Sequence, residues 1–225
     1  MKINADFARP ARQRFAEGAW VDSPAAGVSR RMLDRIGAEV ARATSLVRFA
    51  PGAEFHAHTH DGGEEYLVLD GTFQDEEGDF PAGSYVRNPP TTAHHPHATG
   101  GTVILVKLHQ FDPADRTRVH AVMRAEAATP APGRPGVSVQ PLHSDAHEDV
   151  RMEVWAPGAD IALDLPGGGE VFVLEGSYTE SGTEMARWDW LRLPAGARLD
   201  ATAGPSGARL WIKTGHLARP IGVAA

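Results

Sequence analysis

The chain has 225 residues, enough for one large domain or two of about 100–125 residues. With 22 Lys and Arg against 29 Asp and Glu its formal charge is −7 and no basic block stands out, which argues against a nucleic-acid or anionic-membrane surface. The absence of cysteine excludes disulfides, thiolate nucleophiles and Cys-ligated zinc, while 24 Gly and 17 Pro suit many short strands joined by turns better than long helices.

The N-terminal residues contain no apolar run resembling a signal peptide, and no 18-residue apolar stretch occurs anywhere, so a cytoplasmic location is expected. Residues 1–18 lack periodicity. Trp20-Val21 and Val28–Met32 read as short strands or an arm lying on the first domain. A β-leaning run from Thr44 to Phe49 ends at the Pro51-Gly52 turn.

The next stretch, Pro51–Gly71, carries the sharpest chemistry. Strand alternation puts His58 and His60 on one face, and the Gly62-Gly63 turn can swing Glu64 back toward them. That gives three potential metal ligands, with His94 as the candidate fourth. Glu65–Leu69 runs as a strand into an Asp70-Gly71 hairpin, and Glu76–Asp79 reads as an exposed acidic turn. Ser84–Arg87 is another strand, Pro89–Gly101 a loop with His94, His95 and His97, and Thr102–Leu108 a strong strand.

Residues 123–137 are small and rich in Pro and Gly and read as a linker. They divide an arm plus metal-binding domain over 1–122 from a second domain over 138–225. The second half repeats blocks of the first in the same order. Val47–Ala53 returns as Glu153–Ala159, Glu65–Phe73 as Glu170–Tyr178, Pro81–Ser84 as Pro194–Ala197, and Gly101–Lys107 as Gly207–Lys213. The third pairing leaves the second copy longer between Gly176 and Pro194. The copies differ where chemistry would sit: Ile161–Pro166 and Ala197–Ala203 carry no histidine, and Gly169 stands for Glu64.

Imidazole and carboxylate donors suit one divalent ion per chain: zinc, iron(II), manganese, nickel or cobalt. His56 shares the parity of His58 and His60, and Tyr66, Tyr85 and Arg87 are candidate pocket or supporting residues. Glu65 should face away from the ligands, in a structural role such as pairing with Arg87. Lys107 and Lys213, at equivalent repeat positions, are also read as structural.

The glycine, two spaced histidines, glutamate and closing glycine of Pro51–Gly71 resemble the first cupin motif. Gly83, Pro89 and His94 match the second, with Thr91 where a glycine is usual. The run from His56 to Pro90, with His94, resembles the ChrR-like cupins. That resemblance implies an all-β double-stranded β-helix, the RmlC-like jelly roll, arranged as a bicupin with a degenerate second half. It also implies a zinc held by His58, His60, Glu64 and His94.

A ChrR N-terminal domain built around a His/Cys zinc site has no counterpart in the first 40 residues, so sigma-factor binding is not expected. The expected function is a metal-binding bicupin in a sensory or structural role. The alternative is a non-haem metal-dependent dioxygenase acting on a small aromatic or diketone-type substrate. A small-molecule ligand near the metal and a homodimer are the partners considered. An open coordination position on the metal would separate the two functions.

Overall fold

The computed structural model describes residues 1–38 and 40–222. Among them, helix is confined to two single turns, Phe15–Glu17 and Ala125–Ala127, and no helix is long and apolar enough to cross a membrane. The chain divides into two compact units. The first is Met1–Ala5, Ala19–Val122 and Ile221–Ala225; the second is Asp6–Gly18 with Met123–Pro220.

In the first unit the main sheet runs Lys2–Ile3, Val28–Gly37, Ala41–Phe49, Thr102–Leu108, Glu64–Asp75, Ser84–Asn88, Val119–Val122, each antiparallel to its neighbour. His58–Thr59 with Ala93–His94 forms a separate two-stranded sheet, and Ala53–Glu54 with His97–Ala98 joins the main one. Period-2 alternation sends Tyr66, Val68, Ile104 and Val106 into a core with Phe49 and Phe73. In the second unit the order is Thr129–Pro130, Val137–Ser144, Asp149–Trp155, Ala197–Thr214, Gly169–Glu180, Trp190–Leu193, Ala11–Gln13. Its core holds Val171, Val173, Leu199, Leu210 and Ile212. Both units have the jelly-roll cupin arrangement expected from the sequence.

Two sequence readings change. Residues 6–18, taken as part of an arm on the first domain, belong to the second unit: Ala11–Gln13 pairs with Trp190–Leu193, and Arg12 binds Glu180. The third repeat block was also out of register. Tyr66 lies opposite Val86 and Val171 opposite Leu191, so Ser84–Asn88 corresponds to Asp189–Leu193. Pro194-Ala-Gly196 therefore follows the Trp190–Leu193 strand as Pro89-Pro-Thr91 follows Ser84–Asn88, and the second copy has no insertion. Pro-Ala-Gly is turn chemistry and recurs at turns that are not equivalent. Thr91 has φ 78 and Gly196 φ 80, so the first copy holds a β-branched residue in a left-handed conformation that glycine adopts freely.

The outward face of the repeat carries matched charge. Glu65 lies opposite Arg87 and Lys107, and Glu170 opposite Arg192 and Lys213. The Tyr85 hydroxyl donates to Glu65 at 2.6 Å, and the Trp190 indole N–H donates to Glu170 at 2.9 Å. Tyr85 and Arg87, considered for the pocket, thus serve the scaffold. Arg87 continues to Asp115 at 2.8 Å. Both lie on the side of the sheet away from Glu64 and Tyr66, because side chains alternate.

In the second unit, buried Glu153 accepts two hydrogen bonds from Arg134 at 2.8 and 2.7 Å, one from Arg151 at 2.7 Å and one from Trp155 at 2.7 Å. Burial alone would raise its pKa, but these donors outweigh it and hold the carboxyl below its ordinary value of 4.5. A depressed folded pKa stabilises above the unfolded value, and that contribution is lost as pH falls through the folded one. Stability measured by urea unfolding is therefore expected to fall as pH drops below about 4.5. Glu153→Gln should lower stability at pH 7 by roughly 3 kcal/mol, since it removes the carboxylate that Arg134 binds and leaves Arg151 with Asp149 alone, and should flatten that acid limb. An unchanged acid limb in the variant would refute the assignment.

Candidate metal centre

His58, His60, Glu64 and His94 converge in the first unit, each offering one ligand atom within 4.8 Å of all the others. Local structure explains the convergence. His58 lies opposite His94 in the short antiparallel pair, so their rings meet at 5.0 Å between centroids. His60 follows at the end of that strand, its ring 5.1 Å from His58 and 4.6 Å from His94. Glu64 starts the long central strand after a turn through Gly62 and Gly63. A Cβ on Gly63, at φ 76, would fall 2.3 Å from the Phe111 ring, and one on Gly62 would fall 2.7 Å from the His109 backbone. Only glycine lets this turn pack and deliver the carboxylate.

The protons on the three rings are fixed by their outer neighbours. His58 Nδ1 lies 2.7 Å from the His56 carbonyl, an acceptor only, so Nδ1 carries the proton. Thr92 Oγ1 donates to the Pro89 carbonyl at 2.8 Å and so accepts from His60 Nδ1, also at 2.8 Å. His94 Nδ1 donates to Asp75 at 3.0 Å. The hydrogen-bond network thus assigns all three as Nδ1–H tautomers, leaving each Nε2 lone pair for the centre. His60 Nε2, His94 Nε2 and Glu64 Oε2 are buried with no hydrogen-bond partner. Glu64 Oε2 lies 3.4 Å from each of those nitrogens. Donor atoms around one ion at bonds of about 2.0–2.2 Å sit roughly 3–3.5 Å apart, so Glu64 is spaced from His60 and His94 as co-ligands of a divalent cation would be.

The electrostatics agree. Burial, reinforced by His94 and His58, pushes the His60 pKa down to about 3, keeping its imidazole neutral. Burial raises the pKa of Glu64 against the pull of His94 and His58 and a hydrogen bond from Asn88. Burial would lower that of His94, but Asp75 and Glu64 raise it on balance. Asp75 is itself lowered, its hydrogen bonds to His94 and the Glu77 N–H outweighing burial.

Asp75, Thr92 and Asn88 were not singled out in the sequence. Asp75 lies eleven residues after Glu64 on the same strand, and only the curl of that strand brings it back to His94. His56 is exposed and contributes its carbonyl rather than its ring: no strand residue lies between Glu54 and His58, so shared parity carries no shared face. Tyr66 faces the same interior as Glu64, packed on Phe73 at 4.8 Å, with its hydroxyl buried and its pKa raised by that burial.

A cavity of about 340 Å³ opens on the cluster, lined by His58, His60 and Glu64 and otherwise mainly by apolar side chains such as Phe49, Phe73, Ile104 and Leu108. In the second unit, ladder positions matching His58, His60 and His94 hold Leu163, Leu165 and Leu199, with Gly169 at Glu64. All three leucines pack with that unit's core. A Cβ on Gly169 would press on Leu165 at 3.0 Å.

No curated protein matches the chain. Among solved structures, a candidate dioxygenase from Nostoc punctiforme superposes with a TM-score of 0.68 at 14% identity, covering 100% of this chain and 86% of its own. The bacterial pirin YhhW from Escherichia coli, solved with nickel(II), gives 0.65 at 14% identity, covering 92% and 98%. A variant of oxalate decarboxylase from Bacillus subtilis gives 0.59 at 13% identity, covering 92% and 77%. These likenesses establish the fold. The ChrR cupin-like domain model matches residues 9–112, the part of the chain that carries all four clustered ligands, and it is to that domain that this part of the protein is similar.

Proposed function

We propose that the first unit is a divalent-metal-dependent enzyme site for a small, metal-chelating organic molecule, and that its reaction is a dioxygenation. One observation carries this reading over a closed structural zinc: the face formed by His58, His60 and Glu64 borders a largely apolar cavity rather than packed core. A closed tetrahedral site has no use for such space. The likeness to a candidate dioxygenase supports the reading at the level of fold alone.

A bound divalent ion would supply a Lewis-acidic centre, and iron(II) in addition the redox chemistry for reacting with oxygen. The protein's own residues prepare the site. The His56 carbonyl, Thr92 and Asp75 hold three imidazoles in one tautomer and orientation before any ligand arrives. Glu64 contributes negative charge, with Asn88 fixing the carboxylate. The Phe49, Phe73, Ile104 and Leu108 walls limit water beside the reacting molecule.

The ligand set is tested by metal analysis. His60→Ala is expected to reduce one metal per chain to near none while circular dichroism stays that of the wild type; full occupancy in the variant would refute the set. Removing an outer hydrogen bond is milder: Asp75→Asn should weaken metal affinity by about 10–100-fold in chelator competition, because the His94 ring loses its anionic partner. Cobalt(II) substitution separates enzyme from closed site. An open centre predicts a weak, five- or six-coordinate visible spectrum that shifts on adding catechol. An intense four-coordinate spectrum that catechol leaves unmoved would overturn the enzymatic reading.

A further inference from the structure

We infer that the cavity of the first unit selects an anionic molecule, a carboxylate with an apolar body, and that Arg30 is the residue that recognises its charge. The inference rests on the metal-site reading above and specifies its ligand.

Arg30 lies on the Val28–Gly37 strand opposite Val47, which lies opposite Ile104, and all three line the cavity. The ladder therefore points the Arg30 side chain inward from the sheet. Its Nε is buried and has no hydrogen-bond partner among the described residues. A guanidinium turned into a mainly apolar space with an unused donor is suited to a carboxylate, which it meets through paired N–H groups. Arg35 lines the same cavity, its guanidinium donating to the Ala38 carbonyl. Among the described lining residues Glu64 is the one acid, and it belongs to the ligand cluster. Arg30 and a divalent ion against the one lining carboxylate make this cavity electropositive in a chain whose formal charge is −7.

The second unit supplies an internal comparison. The residue in the ladder position of Arg30 is Val139, packed against the apolar core. On the inward side of that unit's sheet a guanidinium has carboxylate partners: Arg151 binds Asp149 at 2.6 Å and Glu153 at 2.7 Å. Arg30 thus shares the distribution of the clustered histidines, present in the copy with the ligands and replaced by an aliphatic side chain in the other. A merely structural arginine would be expected to have a built-in partner, as Arg151 has.

The test uses two probes of matched shape on full-length protein reconstituted with cobalt(II): 3,4-dihydroxybenzoate, and 3,4-dihydroxybenzamide as its neutral isostere. Dissociation constants come from titration calorimetry, with metal content measured on the same samples. Wild type should bind the acid at least tenfold more tightly than the amide. Arg30→Gln should bring the ratio close to one with cobalt still at one per chain, and Arg30→Lys should restore part of the preference. Equal affinities in wild type, binding of neither probe at full metal loading, or a ratio unchanged in both variants would each overturn the inference. Failure to hold cobalt in wild type would instead count against the metal site, so the two readings fail in different ways.

Discussion

Three polar atoms buried together without a partner, Nε2 of His60, Nε2 of His94 and Oε2 of Glu64, are the constraint on which the first unit depends. Each would cost about 1–3 kcal/mol if left unsatisfied in a dry interior, and together they make a centre that a bound cation would resolve. Everything around them keeps that cost in place. The outer nitrogens are tied to a carbonyl, a hydroxyl and a carboxylate, so the rings cannot rotate to relieve their inner faces. The glycine turn that carries Glu64 is locked by Phe111 and His109. Strain is tolerated nearby as well, in Thr91, whose backbone N–H reaches the His60 carbonyl from a left-handed conformation.

The second unit shows the same scaffold relieved of that constraint. Leucines at the three histidine positions and glycine at the glutamate position convert a polar centre into ordinary packing, while the Glu–Arg–Lys rows on the outer face are kept. The outer face is therefore a property of the fold and the inner face a property of the site. Asp75, which orients His94, corresponds to Glu180, and Glu180 is bound by Arg12 of the N-terminal strand instead. One acidic position serves ring orientation in one copy and strand attachment in the other.

The sequence made the fold class, the two-copy organisation and the four clustered residues legible because each has a short-range signature: alternation, turn glycines, and histidines two apart. The supporting hydrogen bonds were not legible. Asp75 reaches His94 through strand curl, and Thr92 acts through a hydroxyl whose role depends on its own donation to Pro89. Tyr85 and Arg87 were drawn toward the pocket by chemical type, although their parity with Glu65 already placed them on the opposite face. Arg30 had no motif to mark it, and its direction is visible only through its ladder partners. The misaligned Pro-Ala-Gly block has a similar origin, since turn residues report backbone geometry rather than position in a fold.

The pairing of Ala11–Gln13 with Trp190–Leu193 has a consequence for how the molecule is made. A ribosome releases residues 6–18 long before their partner strand, so the waiting segment stays unpaired until Trp190–Leu193 has emerged. The waiting piece is short and carries two polar side chains among three residues, a composition that discourages strand-to-strand association with other nascent chains. The first unit's strands from Val28 to Val122 lie in one continuous stretch and can assemble while the remainder is still emerging. Order of synthesis therefore favours the unit that carries the clustered histidines, and the second is completed by a segment made well before its partner strand.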